Sequence, residues 1–379
     1  MQFRLKPTWT SAVNNVNRPV FKIDVTSWDF NIFELSADDL YYMGSDIMHV
    51  LSIPTSFDVV ERNFQGLMSN VRYYMTRNKL SYHNYFHALD VMQTCCSFIT
   101  SFELGRFLTD LEVFCLEIAA VCHDLDHPGF TNAYLNNSES RLSLSYNDTS
   151  TLENMHASLC FSIMRKDGCD VFSEVEKANR QQARKLIIST IINTDMTYHF
   201  SLISDLNECV GRIVKTEKEM EMGGAMEGGD LTVGDSDREI ILKSLLHVAD
   251  ISNPCKPWEL SKEWSDRVLV EFFHQGDVEK EEGLAVSMNM DRDTTDQAEL
   301  SLNFCDFIVA PFFLALIGIA PKMITVVMVM DDNRKEWDKL HAEHLKEKNK
   351  SNCERYTEDV ARWEKRRCAF NKTLEKNDV

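Results

Sequence analysis

The stretch from Thr109 to Gly129 leaves the chain little choice of local structure. Thr109-Asp110-Leu111-Glu112 has capping-box spacing, in which a Thr hydroxyl and a Glu three residues later satisfy the first free N–H groups of a helix. Val113, Phe114, Ile118 and Val121 follow as an apolar stripe at helical spacing. The stripe runs directly into His123-Asp124, with His127 four residues on, and Pro128-Gly129 ends any helix there. Imidazoles and a carboxylate are thereby set where outward-facing helix carbonyls favour a cation.

The same grammar recurs. Ser150-Thr151-Leu152-Glu153 and Ser236-Asp237-Arg238-Glu239 repeat the capping-box spacing ahead of apolar runs. Asn253-Pro254 stops the second of these helices at Asp250. Period-two alternation is scarce, and no Asn-Gly or Asp-Gly turn separates a pair of candidate strands. The expected fold is all-α, a compact multi-helix bundle. Residues 1–35 read as an arm laid over it, 36–335 as the folded domain and 336–379 as a charged helical tail with sparse anchors such as Trp337 and Trp363. Glu217 to Asp235 is acidic and Gly-rich and reads as a loop, and 283–296 as a second irregular stretch.

With 40 basic and 59 acidic residues the formal charge is −19, which argues against nucleic acid and anionic membrane as partners. It also repels any phosphate substrate, unless bound cations reverse the local sign. The eleven cysteines form no CxxC pair, and several lie in apolar runs, so buried reduced thiols in a cytoplasmic protein are expected. Met1 to Lys6 lacks the apolar core of a signal peptide. The most apolar run, Phe307 to Pro321, contains Pro311 and falls short of the ~20 residues a membrane span needs.

Ligand-type residues collect in four places: His83 with His87, which would share a face if helical; His123-Asp124 with His127; Glu153 with His156; and His247 with Asp250, Asn253 lying just beyond. Carried inward by apolar helices, these charges need partners. Two divalent metals would supply them. His87 and His123 offer imidazole nitrogens and Asp124 and Asp250 carboxylate oxygens, a mixture that suits zinc or a similar transition metal. A second site of carboxylate and water ligands suits magnesium or manganese.

Position by position, His123-Asp124-Leu125-Asp126-His127-Pro128-Gly129-Phe130-Thr131-Asn132 resembles the class I cyclic nucleotide phosphodiesterases. Tyr82 to Val91 resembles a second block of that family, and Leu152-Glu153-Asn154, Thr194-Asp195-Met196 and Ala249 to Pro254 resemble three more, in order. Within the family the likeness is to cAMP-type mammalian and kinetoplastid protozoan members. The resemblance implies a helical fold of the HD-domain type with a deep dinuclear metal pocket. His87, His123, Asp124 and Asp250 would hold the tight Zn2+; Asp124 would also reach Mg2+ or Mn2+. His127, Glu153 and Thr194 would orient the waters of the second metal. A metal-bridging hydroxide would attack the cyclic phosphodiester of cAMP or cGMP in line, while His83 protonates the departing 3′ oxygen to give a nucleoside 5′-monophosphate. Asn253 would touch the purine, Phe304 would stack on it, and Val268, Leu269 and Phe272 would wall the pocket. Regulatory domains outside this chain are expected.

One position departs from the pattern. Where the family has a glutamine that clamps the purine, three residues before the stacking Phe, this chain has Ser301. A hydroxyl lacks the paired donor and acceptor of an amide, so purine binding should weaken and the choice between adenine and guanine should blur. Gln297, one helical turn earlier, is the nearest amide that could stand in. Two rival readings remain: an HD phosphohydrolase of linear nucleotides, and a catalytically impaired module that only binds cyclic nucleotides.

Overall fold

A computed structural model describes residues 24–57, 59–221, 233–348 and 365, and among them every regular element is a helix. The first group is α1 (Ala37–Val50), α2 (Ile53–Phe57), α3 (Glu61–Arg77), α4 (Tyr85–Thr100) and α5 (Asp110–Cys122). Next come α6 (Asn132–Asn137), α7 (Arg141–Tyr146), α8 (Thr151–Met164), α9 (Lys177–Ile192) and α10 (His199–Glu221). The last group is α11 (Asp235–Asp250), α12 (Trp258–Glu282), α13 (Gln297–Phe304), α14 (Ala310–Ile317) and α15 (Ile324–Lys348).

The expected capping box at Thr109 is present, with Thr109 and Glu112 bonding each other's backbone N–H. The other two are not. Ser150 sits in the left-handed region at φ 41° and gives its hydroxyl proton to Asp195, 2.8 Å away, which outcompetes a cap. α11 starts two residues early, at Asp235, so Ser236 is already inside the helix. Helix α10 continues to Glu221, which makes the first part of the expected acidic loop helical; residues 222–232 of that loop lie outside the described residues.

Helices α4 and α5 are the centre of the bundle. Nearly every residue of α4 and every residue from Leu111 to Cys122 is buried, and α9 and α11 pack against them. Burial on all sides, rather than on one stripe, is what lets these helices carry polar groups into the interior at their ends. The 283–296 stretch is irregular, as expected, and closes on α12 at Gly276. A Cβ there would lie 1.9 Å from the Met290 carbonyl oxygen, so only glycine permits the approach.

Residues 24–35, the described part of the expected arm, pack into the fold. Val25, Phe30, Ile32 and Leu35 are buried in the main core, and the Trp28 indole N–H donates to the Cys255 carbonyl at 2.9 Å. Lys256, fully buried, donates to the Trp28 carbonyl and lies 4.1 Å from the centre of its ring. At the other end, α15 runs unbroken past residue 335, and Trp337 is buried beside Trp258, with ring centres 5.0 Å apart. Residues 1–23, Cys353, Trp363 and Cys368 lie outside the described residues.

Pro311 does not end its helix. A π-helical turn at Cys305–Val309 absorbs the missing N–H and the ring, so that Gln297–Ile317 runs as one helix of 21 residues. By length and composition this helix could cross a membrane, contrary to the expected shortfall, but half of its most apolar window is buried in the fold, as a core helix would be.

Candidate metal centre and adjoining pocket

Three helix ends deliver the predicted ligands to one point. Asn84 caps α4 by accepting from the N–H groups of Phe86 and His87, which starts the helix one turn before His87 faces inward. His123 and Asp124 follow the last turn of α5, and Asp250 closes α11. The ligand atoms of His87, His123, Asp124 and Asp250 all lie within 4.8 Å of one another. His87 Nε2 is 3.1 Å from Asp250 and 3.3 Å from Asp124; His123 Nε2 is 3.2 Å from Asp124 and 3.3 Å from Asp250. Two donors on one ion at about 2.0–2.1 Å stand about 2.9–3.4 Å apart, and these four imidazole–carboxylate spacings match that of a shared divalent cation. The tautomer fits too. His123 Nδ1 lies 2.8 Å from the Ala120 carbonyl and carries a proton there, so in the neutral ring a cation would select, Nε2 is the nitrogen left free toward the cluster.

The electrostatics favour ionised carboxylates. Burial opposes charge on Asp124 and Asp250, but the facing imidazoles, His123 first, hold both well below the usual carboxylate range. Burial likewise opposes charge on His87, and the two carboxylates push it up to about 9.

His83 does not share a helix face with His87, as its spacing suggested. It precedes the Asn84 cap, in a tight bend where the Asn84 N–H donates to the Tyr82 carbonyl at 2.7 Å, and the two rings stand edge to face with centres 6.0 Å apart. Its partner is Glu271 on α12, a residue that no motif in the sequence singles out. Glu271 accepts from the backbone N–H groups of Tyr82 and His83 and stands 2.6 Å from His83 Nδ1. Burial lowers the His83 pKa, but the Glu271 carboxylate outweighs it, and the net shift is upward. The only hint in sequence was an acidic residue three positions after Val268.

His127 stacks on His83 with ring centres 3.8 Å apart, and its Nδ1 accepts from the Gly129 N–H. Asp126 at φ 64° and Gly129 at φ 82° bend the chain sharply enough to return His127 to the cluster, and Arg77 and Asn78 clamp the Asp126 carboxylate. Glu153 is buried and accepts from the Asn132 amide, and burial pushes its carboxyl up to about 7. Thr194 is buried and donates to the Ile191 carbonyl. His156, noted as ligand-type, lies 3.8 Å from Asp124 with its other nitrogen on the Leu125 carbonyl. His247 does not reach the cluster; its nitrogens are bound elsewhere.

Beside the cluster opens a mainly apolar pocket. Asn253, Val268, Phe272, Ser301 and Phe304 line it as expected; Leu269 does not, because the next residue along a helix turns away, and it is buried instead. Tyr82, Trp264, Ser265 and Trp337 are among the other lining residues, so the expected tail contributes to the pocket. The Tyr82 hydroxyl donates to Asn253 Oδ1 at 2.5 Å. That orients the amide so that Nδ2, buried and without a partner among the described residues, is the available donor. Asn333 of α15 donates to the Pro254 and Lys256 carbonyls and holds the turn that carries Asn253.

Gln297 cannot replace the missing clamp. Its Nε2 donates to Ser265 Oγ at 3.1 Å and to Asp266 at 2.6 Å, which engages both amide protons with side chains of α12. Ser301 and Ser265 share a hydroxyl–hydroxyl bond of 3.2 Å, leaving two small rotors where an amide would stand.

Comparison with known proteins agrees with this geometry. The profile of the 3′5′-cyclic nucleotide phosphodiesterase family matches residues 82–330. The chain is 33% identical over 313 residues to the 3′,5′-cyclic-nucleotide phosphodiesterase regA of Dictyostelium discoideum, covering 83% of this chain and 38% of that protein. It is 37% identical over 259 residues to the 3′,5′-cyclic-AMP phosphodiesterase 4C of Mus musculus, covering 68% of this chain and 36% of that protein. The chain therefore spans well under half the length of these curated relatives. Among solved structures, the phosphodiesterase domain of Salpingoeca rosetta rhodopsin phosphodiesterase superposes with a TM-score of 0.76 at 32% identity, covering 86% of this chain and 95% of that one.

Proposed function

The chain belongs to the 3′,5′-cyclic nucleotide phosphodiesterase family, and from that premise we propose that it hydrolyses the 3′ ester bond of cAMP, and of cGMP as well, to the nucleoside 5′-monophosphate. The observation that carries this reading is the convergence of His87, His123, Asp124 and Asp250 beside a pocket that offers the Asn253 amide. These four residues would hold Zn2+, and Asp124 would in addition reach Mg2+ or Mn2+, with His127, Glu153 and Thr194 orienting water around it. When bound, the cations would acidify a water and draw charge from the phosphoryl oxygens.

The chain's own groups do the rest. His83, kept protonated by Glu271, would deliver its proton to the leaving 3′ oxygen. Phe304, Val268 and Phe272 would hold the flat purine, and the Asn253 Nδ2–H would donate to one of its ring nitrogens. The Ser265–Ser301 hydroxyls can present either a proton or a lone pair to the base, which supports acceptance of both cAMP and cGMP. The nine described cysteines are all free and buried, which supports a reducing, cytoplasmic setting. The length of the relatives beyond the matched region supports regulatory domains outside this sequence.

The test is hydrolysis of cAMP and cGMP side by side, with magnesium and then with chelator, for the wild type and Ser301→Gln. Expected are chelator-sensitive release of 5′-AMP and 5′-GMP and a KM lowered about tenfold in the variant, the worth of one to two net hydrogen bonds. Tight binding without turnover by metal-loaded protein would favour the binding module; turnover of linear nucleotides alone would favour the HD phosphohydrolase.

A further inference from the structure

His199 opens α10 and His247 lies one turn before Asp250 on α11; both are fully buried, and neither joins the ligand cluster. Their protons can be assigned from geometry. His247 Nδ1 stands 2.9 Å from the Asn193 carbonyl, which can only accept, so that nitrogen carries hydrogen and Nε2 of the same ring is bare. Nε2 lies 2.9 Å from His199 Nδ1, which must therefore be the donor. Donation runs one way, from His199 to His247 to the Asn193 carbonyl. Both rings are neutral in this order, which leaves the buried His199 Nε2 without a hydrogen bond among the described residues; burial lowers the pKa of each ring and takes His199 to about 4, against a smaller upward pull from the Ile308 backbone. Phe312 of α14 packs on the pair, 5.6 and 5.5 Å from the two ring centres.

The acceptor at the end of this relay is not incidental. Asn193 immediately precedes Thr194 and Asp195, and Asp195 takes the Ser150 hydroxyl at the start of α8, the helix of Glu153. The two rings thus span the gap between the α9–α10 corner and the turn of α11 that leads to Asp250.

We propose that His199 is a positioning residue: by giving its proton to His247 it holds His247 in the tautomer that clamps the Asn193 carbonyl, and so fixes Asp250 relative to the Thr194 corner and sets how tightly a divalent cation is held. The inference rests on the metal reading above. Outer groups that orient ligands are worth roughly 10–100-fold in metal affinity, and a relay one group further out should fall at the low end.

The test measures Mn2+ binding to metal-stripped protein by calorimetry, without nucleotide, with Tm recorded for each variant. His199→Asn keeps an amide N–H where Nδ1 stood; His199→Phe keeps the ring packing on Phe312 but removes the donor. Expected are affinity within about twofold of wild type for His199→Asn and about tenfold weaker for His199→Phe, at the low end of that range. Should His199→Phe fail to fold, His199→Gln, whose amide reaches the Nε2 position instead, carries the same expected loss. Equal affinity in wild type and the donor-less variants overturns the inference and leaves the proposed function standing. Wild-type protein that takes up no Mn2+ overturns the metal reading and this inference with it.

Discussion

Single residues divide by whether their chemistry depends on a neighbour. His87, His123, Asp124 and Asp250 were legible as ligands because an ionisable group at the end of a buried helix has few other uses. The role of His83 needs Glu271, 188 positions away, and no spacing connects them. Because Glu271 raises the His83 pKa, removing its charge should lower it. Glu271→Gln should therefore move the alkaline limb of the kcat/KM profile to lower pH. A limb displaced by about one pH unit would slow the reaction about tenfold at pH 8. A pH–rate profile of wild type and variant checks this, and an unmoved limb would remove His83 from the proton-donor role. Ser301 was legible as a departure, yet only the structure disposes of Gln297, whose amide is held by Ser265 and Asp266.

Among elements, α13 depends on contacts that its sequence does not announce. Asp296 caps it by accepting from the N–H groups of Ala298 and Glu299, and the same carboxylate stands 3.0 Å from His341 of α15. Burial would raise its pKa, but His341 and the backbone donor prevail and hold it below the usual range. A depressed folded-state pKa stabilises above the unfolded value, near pH 4, and the contribution is lost as pH falls further. Asp296→Ala should destabilise by about 1–2 kcal/mol at pH 7, whereas Asp296→Asn keeps the cap and should cost less than half as much. Urea unfolding at pH 7 separates the two. The capping box at Thr109 was readable because nothing competes for its hydroxyl; the one at Ser150 was misleading because Asp195 does.

For the whole molecule, helix ends from α4, α5 and α11 meet at one cluster, so a bound cation ties the bundle together. Divalent metal at a hundredfold excess over its Kd should stabilise by about 2.7 kcal/mol, a rise of about 3 °C in Tm for a chain of this size, and chelator should reverse it. Differential scanning calorimetry with and without Mn2+ checks this; an unchanged Tm would count against a cation bound by the folded state. The sequence by itself determined the helical class, the helix ends that carry ligands and the family resemblance, because capping, apolar periodicity and motif spacing are local. Only the tertiary structure decided that Glu271 faces His83, that Trp337 walls the pocket, that residues 25–35 supply core side chains, and that the helix passes through Pro311. The first three are contacts between distant segments, and the last is a local π-helical turn in a helix half buried by the rest of the fold. Such contacts are selected by burial and hydrogen-bond satisfaction across the whole fold, and neither leaves a periodic trace in the chain.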